Sequence, residues 1–549
     1  MSKKRILSFV LTAAMVLSAL TGCGGNGNDS GNTSGDSAGK TANSGGSTGG
    51  KTLIIHDDSW EGTDLFQVDS WNDMQCLLAD PILEKDPETG DALPGIASEQ
   101  KWSDDGLTWT LTFPEGMYYS TGEQVEPEDF IASVEYGLKV STYADGYRCI
   151  DSMEVDGRNV IVHLSEYQAD MLYNFQSCFV GMIDKDEIDN MPADKMLWGC
   201  HPYGAYYLDD YQPGAYAVLK ANEGYKTNNP DLKNQGPSPI KEIKVVFSGE
   251  NFTLAQGIQN GDYDVLSMVP SEYYEELKNS DNIEMHEAYG AEVNYAEINM
   301  SDPVLQDENV RKAIIHAINR DSLDVYLSEF ESPAYSLILS KCLNYSEEAV
   351  NYYKENYGYD AELSKKLLAD AGWSDTNNDG FVDKNGQNLV FEFDSRDTET
   401  AKKVAQALQQ DLKAVGIDTQ IKTQNWSYVN QDVVDGNFQM AYLSLGWSEP
   451  FLLLDMFCSR NPEVTNPDPE GYNAMVADAR KTLDYNERTE KIVEIQKKLF
   501  DFTTIIPILD NTGYRCWRSE IKGIVHTPTG GFYLGDVVTD SDGNFRNVQ

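Results

Sequence analysis

A run of aspartate and asparagine residues at 375–383 has the spacing of a cation-binding loop. Oxygen-bearing side chains stand at its first, third, fifth and ninth positions, and Gly380 stands at the sixth, as in an EF-hand loop. The twelfth position is Gly386, where such a loop carries a glutamate that binds calcium through both oxygens. The same residue types also form β-turns. The sequence favours a turn over a calcium site, and we expect no metal and no cofactor.

Sequence signatures of hydrolytic enzymes are missing from the body of the chain. Residues 52–549 contain no HExxH zinc motif and no GxSxG nucleophile turn, and the chain has only six histidines. A glycosidase needs two carboxylates in a cleft, but 89 acidic residues offer many pairs and select none. We therefore expect a protein that is not an enzyme, with a secreted acidic hydrolase as the remote alternative.

Eight cysteines are spread along the chain without the paired spacing of a zinc site. If the first is modified, seven remain, so at least one thiol stays outside any disulfide. An oxidising compartment permits disulfides, Cys149–Cys200 among them, but spacing alone does not give the connectivity. The eight are Cys23, Cys76, Cys149, Cys178, Cys200, Cys342, Cys458 and Cys516.

The overall composition is strongly acidic. The chain has 42 Lys and Arg against 89 Asp and Glu, a net charge of −47, so it repels polyphosphate and we expect no nucleic-acid partner. With 40% hydrophobic residues it has the composition of a folded globular protein. Its 549 residues exceed the ~250–300 that one core usually serves, which indicates several domains.

The first 51 residues indicate export and anchoring. Three basic residues precede an apolar run at 6–20, shorter than the ~20 residues of a membrane-spanning helix, as in a secretory signal. The run ends in Leu20-Thr21-Gly22-Cys23, which resembles a bacterial lipoprotein signal. That resemblance implies removal of 1–22 and a lipid on Cys23, which would hold the protein at the outer face of the cell membrane. An ordinary secretory signal is the alternative. The segment at 24–51, directly after Cys23, is rich in Gly, Ser and Asn, and we expect it to be a flexible tether.

Short strand and helix patterns alternate through the body of the chain, which favours α/β layers with substantially parallel sheets. Glycine at the end of several helical patterns predicts where those helices stop. The pattern predicts strands at 52–56, 243–247, 262–266, 389–393, 419–423 and 438–443, and a hairpin at 102–113. It predicts helices at 74–83, 126–140, 253–260, 310–320, 361–371, 400–415 and 488–502.

Many segments, in order, resemble the extracellular solute-binding proteins of peptide ABC transporters, the oligopeptide- and dipeptide-binding receptors. No single motif decides the resemblance, which rests on their number and order over nearly all of 52–530. The segments are 83–97, 102–110, 118–130, 201–206, 211–214, 222–225, 258–264, 307–321 and 367–373.

The resemblance implies an α/β fold of two lobes with an additional inserted domain, of the large peptide-binding type. The lobes would be joined by crossing segments and would close on a ligand between them. By position, lobe I would comprise 52–84, 200–310 and 510–549. Domain II, the insertion, would comprise 85–199, and lobe III would comprise 311–509.

The resemblance also implies that two turns line the cleft. Trp426 follows one predicted strand, and Gly446-Trp447-Ser448-Glu449 follows the next. In the family, a carboxylate after the second turn pairs with the free amino group of a peptide, because an unpaired ammonium in a closed cleft is costly. Here that turn is shortened, and Glu449 stands where an aspartate is usual. A core role for Trp426 and a solvated loop role for Glu449 are the alternatives. We expect both loops to leave the same ends of neighbouring parallel strands.

Two further positions are expected to face the ligand. Asn299 matches the end of a family strand whose asparagine bonds ligand backbone, with a turn-capping role as the alternative. Trp71 lies in the loop after the first strand and, with Trp60, could stack on a sugar or a peptide side chain, with a place at the edge of the core as the alternative.

The sequence therefore predicts a lipid-anchored, extracellular or periplasmic receptor that captures peptides and delivers them to an ABC importer. Its expected partners are a peptide, the permease subunits of the transporter and the membrane, and we expect a monomer. An oligosaccharide or another small solute is the alternative ligand.

Overall fold

A computed structural model describes residues 51–546 with some gaps. Cys23, with the signal and the tether, lies outside the described residues, and so do Trp71 and Ser448. The gaps are 59, 69–74, 87–89, 142, 248, 289–291, 326–329, 448, 460–461 and 528–530.

The strands are numbered in chain order. They are β1 Thr52–His56, β2 Leu83–Lys85, β3 Ala92–Pro94, β4 Glu99–Trp102, β5 Thr108–Thr112, β6 Ile150–Asp156, β7 Asn159–Leu164, β8 Tyr206–Gln212, β9 Tyr216–Ala221, β10 Glu242–Val246, β11 Val265–Leu266, β12 Ile283–Glu287, β13 Glu292–Ile298, β14 Glu331–Pro333, β15 Asp383–Lys384, β16 Gln387–Asn388, β17 Val390–Arg396, β18 Asp418–Gln424, β19 Met440–Gly446, β20 Ile505–Asn511, β21 Tyr514–Arg518, β22 Val525–His526 and β23 Phe532–Tyr533.

The α-helices are numbered in the same way, and short 3-10 helices lie between them. The α-helices are α1 Pro127–Val140, α2 Ala169–Phe175, α3 Lys185–Asn190, α4 Ala193–Gly199, α5 Asn251–Asn260, α6 Tyr274–Lys278, α7 Glu308–Ala317, α8 Glu347–Tyr357, α9 Ala361–Asp370, α10 Glu399–Ala414, α11 Trp426–Asp435, α12 Pro450–Ser459, α13 Pro462–Thr465, α14 Pro469–Arg480 and α15 Tyr485–Asp501. The 3-10 helices are Gln75–Leu77, Ala144–Tyr147, Cys178–Val180, Ser271–Tyr273 and Arg320–Val325.

Three larger sheets organise the described part of the chain, and we use lobe I, lobe III and domain II for these sheets with the helices that pack on them. Lobe I has the strand order β12-β21-β11-β1-β10-β9-β8, lobe III has β14-β20-β13-β19-β17-β18, and domain II has β4-β5-β7-β6. This is the two-lobed α/β fold with an inserted domain that the sequence predicts. The exact division into domains stays a prediction. β13, which that prediction gave to lobe I, pairs with β19 and β20 of lobe III.

The sheets are mixed, so the expectation of substantially parallel sheets is wrong. β1 is parallel to β10 and β11, and β17 is parallel to β18 and β19. The hairpin β8–β9 is antiparallel, and β20 and β21 also pair antiparallel with their neighbours. The parallel pair β17 and β18 is connected through α10, as a crossover connection requires.

The predicted helix at 74–83 is also wrong. The described part of that segment is a 3-10 helix, Gln75–Leu77, followed by a bend into β2. Pro81 has no N–H to continue a helix and restricts the residue before it. The N–H of Asp80 instead donates to the carbonyl of Tyr203, 2.8 Å away. A tertiary contact therefore replaces the local helical pattern.

The described chain crosses between the two lobes at neighbouring positions. β12 ends at Glu287 in lobe I and β13 begins at Glu292 in lobe III, while β20 and β21 are separated only by Thr512 and Gly513. The N–H of Ala288 donates to the carbonyl of Gly513 over 2.8 Å, so these two connections lie side by side. The lobes have separate cores, whereas domain II and lobe I share one.

Candidate ligand-binding site

The carboxyl ends of four strands meet at one edge of the lobe III sheet. β18 and β19 run parallel to β17, and β20 runs antiparallel to β13, as β19 does. The register places Glu292, the first residue of β13, opposite Gly446 on one side and Asn511 on the other. The loops after β18 and β19 therefore leave the same edge, as expected. They do not leave adjacent strands, because β17 lies between β18 and β19.

Trp426 begins α11 at this edge, beside an arginine that the sequence analysis missed. The side chain of Asn425 accepts a hydrogen bond from the Tyr428 N–H and caps the helix. The Trp426 side chain is 36% exposed, and the guanidinium carbon of Arg396 lies 5.1 Å from its ring centroid. Arg396 is the last residue of β17, so its position at a strand end was the available signal.

The Arg396 guanidinium lies among polar side chains of the same sheet. Its Nη1 donates to Ser444 Oγ at 2.6 Å and lies 3.7 Å from Glu292 Oε1. Burial raises the pKa of Tyr442. The charge of Glu292 raises this pKa further, and the charge of Arg396 lowers it. This edge therefore combines a cation, carboxylates and an aromatic ring.

Several buried polar atoms of these strands have no hydrogen-bond partner within the described protein. A buried polar group without a partner costs free energy, so such atoms are suited to bonding a polar ligand or water. They are Asn294 Nδ2, Arg396 Nε, Tyr442 Oη, Asp510 Oδ1 and Asn511 Oδ1.

Trp447 reaches from lobe III to an aromatic cluster of domain II. Its ring stacks on Tyr143, with centroids 5.6 Å apart and an interplanar angle of 13°. Phe179 is stacked at 6.2 Å, and Tyr173 meets the ring edge-on at 6.1 Å. Cys342 Sγ donates to the Trp447 carbonyl at 3.4 Å. The loop after β19 is thus in direct contact with the opposing side of the molecule.

Glu449 is buried and holds the start of α12. Its Oε1 accepts from the Phe451 N–H at 2.8 Å, and its Oε2 accepts from the Leu452 N–H at 3.0 Å, which is the geometry of a helix N-cap. Burial, followed by the charge of Asp170, raises the pKa of Glu449 to about 8. Burial rules out a solvated loop acid, and a ligand-amine role for Glu449 stays a prediction. Both oxygens of this carboxylate are engaged with the backbone of its own chain segment.

The contact between domain II and lobe III includes ion pairs. Arg480 on α14 lies 3.1 Å from Asp170 on α2, measured from Nε to Oδ2, and its Nη2 lies 2.6 Å from Asp455 Oδ2. Lys481 Nζ and Glu166 Oε2 are 2.7 Å apart. Burial raises the pKa of Asp170 to about 6, although the charge of Arg480 lowers it. The two sides therefore meet through rings and charges.

Two other predicted positions lie away from this edge. Asn299 follows the opposite end of β13, where its Nδ2 donates to the carbonyls of Gly436 and Phe438 at 3.1 and 2.8 Å and its Oδ1 accepts from the Ser301 N–H at 2.9 Å. These are the contacts of the turn-capping alternative. Trp60 is buried in the lobe I core, where it packs against Phe247.

The aspartate loop at 375–383 bonds to itself. The Asp375 carboxylate accepts from the N–H groups of Asp379 and Gly380, and the Asp383 carboxylate accepts from Thr376. Among the described residues, no group of three or more His, Cys, Asp or Glu side chains is placed to hold a metal ion. The turn accounts for every one of these contacts.

Two lobes have separate cores, are joined at side-by-side crossings, and meet through the loop that carries Trp447. This is the architecture of a two-lobed ligand-binding protein. The family model for bacterial extracellular solute-binding proteins, family 5 Middle, matches residues 91–462. The chain belongs to this family of extracellular solute-binding proteins. Within the described ranges, no helix is long and apolar enough to cross a membrane.

The relatives of this chain include peptide-binding proteins. It is 24% identical to the oligopeptide-binding protein AppA of Bacillus subtilis over 396 residues, which is 69% of this chain and 70% of AppA. It is 23% identical to the dipeptide-binding protein of Escherichia coli, with 82% of this chain and 86% of that protein covered.

Solved structures share the fold. AppA in complex with a nonapeptide superposes with a TM-score of 0.67 at 19% identity, covering 87% of this chain and 96% of AppA. NikA of Brucella suis in complex with Fe(III)-EDTA superposes with a TM-score of 0.73 at 20% identity, covering 89% of this chain and all of NikA. Proteins of this fold thus hold chemically different solutes.

Proposed function

We propose that this protein is the receptor of an ABC importer and that it captures peptides between lobe III on one side and lobe I with domain II on the other. The lobes close on the peptide by bending at the side-by-side crossings at Ala288 and Gly513. The observation that carries the proposal is the edge of the lobe III sheet where β17, β18, β19 and β20 end, which we call the ligand edge. Arg396, Trp426 and unpartnered buried polar atoms lie together there. The family and the peptide-binding relatives support the choice of peptide.

The chemistry of this edge suits a peptide. A guanidinium pairs with the terminal carboxylate of a ligand, and the free amide and hydroxyl groups of Asn294 and Tyr442 suit peptide N–H and C=O groups. Bonds to ligand backbone do not depend on its side chains, which allows one site to bind many sequences. The exposed faces of Trp426 and Tyr428 suit apolar side chains.

An oligosaccharide is the second candidate ligand. The exposed rings of Trp426 and Tyr428 favour it, because sugars stack on aromatic faces and hydrogen-bond to amides and carboxylates. A sugar has no carboxylate for Arg396 to bind. Replacing Arg396 should therefore weaken the binding of peptides and leave the binding of sugars unchanged, which separates the two candidates.

The test begins with mass spectrometry of the small molecules extracted from the denatured, purified protein. Pools of di- to nonapeptides and of oligosaccharides are then compared by thermal shift, where ligand at a hundredfold excess over Kd stabilises by ~2.7 kcal/mol. Arg396→Gln is expected to weaken binding of peptides with a free carboxylate by ~2–5 kcal/mol and to leave amidated peptides nearly unchanged. The exposed Arg148→Gln variant is the matched control. Stabilisation by sugars alone, or chemical conversion of a bound solute, would reject the peptide receptor.

We further propose that Cys23 carries a lipid and keeps the receptor at the cell surface beside its permease, working as a monomer. Two acyl chains, at ~0.8 kcal/mol per buried methylene, hold a protein firmly. Cys23→Ser is expected to move the protein from the membrane fraction to the medium. Unchanged membrane retention would contradict the anchor.

A further inference from the structure

Two cysteines distant in sequence bring their sulfur atoms together beside the Trp447 contact. Cys76 Sγ lies 2.9 Å from Cys178 Sγ, across 102 residues of chain. Other described cysteines have partners of different kinds: Cys149 contacts Met171 Sδ at 3.6 Å, and Cys200 contacts Thr63 Oγ1 at 3.8 Å. All four of these cysteines are thiols in the structure. Cys149 and Cys200 contact Met171 and Thr63 and not each other, so the structure does not support the pairing that the sequence permitted.

The surroundings hold both thiols in place. Cys178 is buried and begins a 3-10 helix, and the Ser177 hydroxyl accepts from the Phe179 N–H to cap it. Cys76 is partly buried in the short helix Gln75–Leu77. Gly531 packs so closely that a Cβ at that position would lie 2.8 Å from the Cys76 Cβ. The close packing of Gly531 and the burial of Cys178 therefore enclose the two sulfur atoms on these sides.

We propose that Cys76 and Cys178 form a disulfide in the exported protein. The family is extracellular, where disulfides persist. In the balanced step, one cysteine thiolate attacks the disulfide of an extracellular thiol oxidant and displaces one oxidant thiol. The second cysteine thiolate then attacks the sulfur of the first and displaces the other oxidant thiol. One intramolecular S–S bond forms, the oxidant disulfide is reduced to two thiols, and the two cysteine protons pass to them.

The bond would join the segment after β1 to the helix that carries Phe179. Phe179 stacks on Trp447, and Cys178 packs in the same small cluster as Leu65 and Val68. Closing a chain loop of this length restricts the unfolded state, which stabilises the folded one. The disulfide would therefore fix the lobe I and domain II side of the Trp447 contact without depending on which solute binds.

The test is peptide mapping of the full chain exported by a bacterial host. The protein is denatured in N-ethylmaleimide without reductant, digested and analysed by mass spectrometry. The expected result is one linked pair of peptides containing Cys76 and Cys178, two hydrogens lighter than their sum, that separates on reduction. Reductant should also lower the melting temperature by several degrees.

Variants separate this bond from general effects of reductant. Cys76→Ser and Cys178→Ser should each remove the reductant-sensitive part of the melting temperature, whereas Cys149→Ser should keep it. If both cysteines carry N-ethylmaleimide even after exposure to oxidised glutathione, or if either is linked to a different cysteine, the proposal is overturned. A failure here leaves the receptor function untouched, because the ligand edge does not include these thiols.

Discussion

The buried Asp170 of domain II and the partly buried Arg480 of lobe III form an ion pair across the contact between the two, with Arg480 Nε 3.1 Å from Asp170 Oδ2. Asp455 of lobe III shares the same guanidinium at 2.6 Å. Asp170 Oδ1 is buried and has no hydrogen-bond partner in the described structure, so Arg480 is the main compensation for this carboxylate. The stability of the contact between domain II and lobe III therefore depends on the positive charge of Arg480.

Removing the cation should destabilise the protein. In Arg480→Met, the buried Asp170 and the half-exposed Asp455 lose their shared cation, and we expect the free energy of unfolding to fall by roughly 3 kcal/mol in urea titrations, mainly through Asp170. Lys481→Met removes the neighbouring, half-exposed pair with Glu166 and should cost less than ~1 kcal/mol. Equal losses in the two variants would contradict a special role for Arg480.

Glu449 should make stability depend on pH. The unfolded chain releases this proton near its ordinary pKa of 4.5, whereas the folded protein keeps it up to about 8. The folded state thus binds more protons in between, so stability should fall as pH rises from about 5 to about 8. Burial raises the pKa of Asp80 to about 7 and that of Glu84, which Asp80 also raises, to about 8, in the same direction. Urea titrations at several pH values should show a smaller slope in Glu449→Gln, while the exposed Glu223→Gln keeps the wild-type slope.

The capping geometry also changes the expectation for amine recognition. Because both Glu449 oxygens accept backbone N–H groups, Glu449→Gln should change the affinity for free-amine and acetylated peptides equally. Calorimetric titration with matched peptide pairs measures this. A loss of ~2–5 kcal/mol confined to free-amine peptides would instead support Glu449 as an amine anchor.

Trp447 should contribute to ligand binding by joining the two sides. Trp447→Ala removes three ring contacts with domain II, and an aromatic pair contributes ~0.5–1.5 kcal/mol beyond its buried area. We expect Kd for the ligand to rise about thirtyfold, with Trp447→Phe intermediate. Trp198 stacks on Tyr211 away from this contact, so Trp198→Ala should leave Kd unchanged. The same Kd in both alanine variants would contradict the role of Trp447.

Local signals were enough for several of the secondary-structure elements. The strand at 52–56 is confirmed without change, and the helix predicted at 253–260 ends at Gly261, whose φ of 87° suits glycine. The hairpin predicted at 102–113 is β4 and β5. Such features depend on neighbouring residues, so the sequence contains them. The segment at 74–83 departs because its backbone bonds to Tyr203, distant in sequence.

The candidate site depended on tertiary contacts that the local sequence pattern does not predict. The sequence alone determined the alternation of strands and helices, and the two turns at one sheet edge follow from parallel strands. Only the tertiary structure placed Arg396 against Trp426, gave Trp447 its partners in domain II and turned the Glu449 carboxylate onto its own helix. A side chain has the same local sequence whether it faces a ligand, a core or a cap. Which of these it meets is decided by packing between segments distant in the chain.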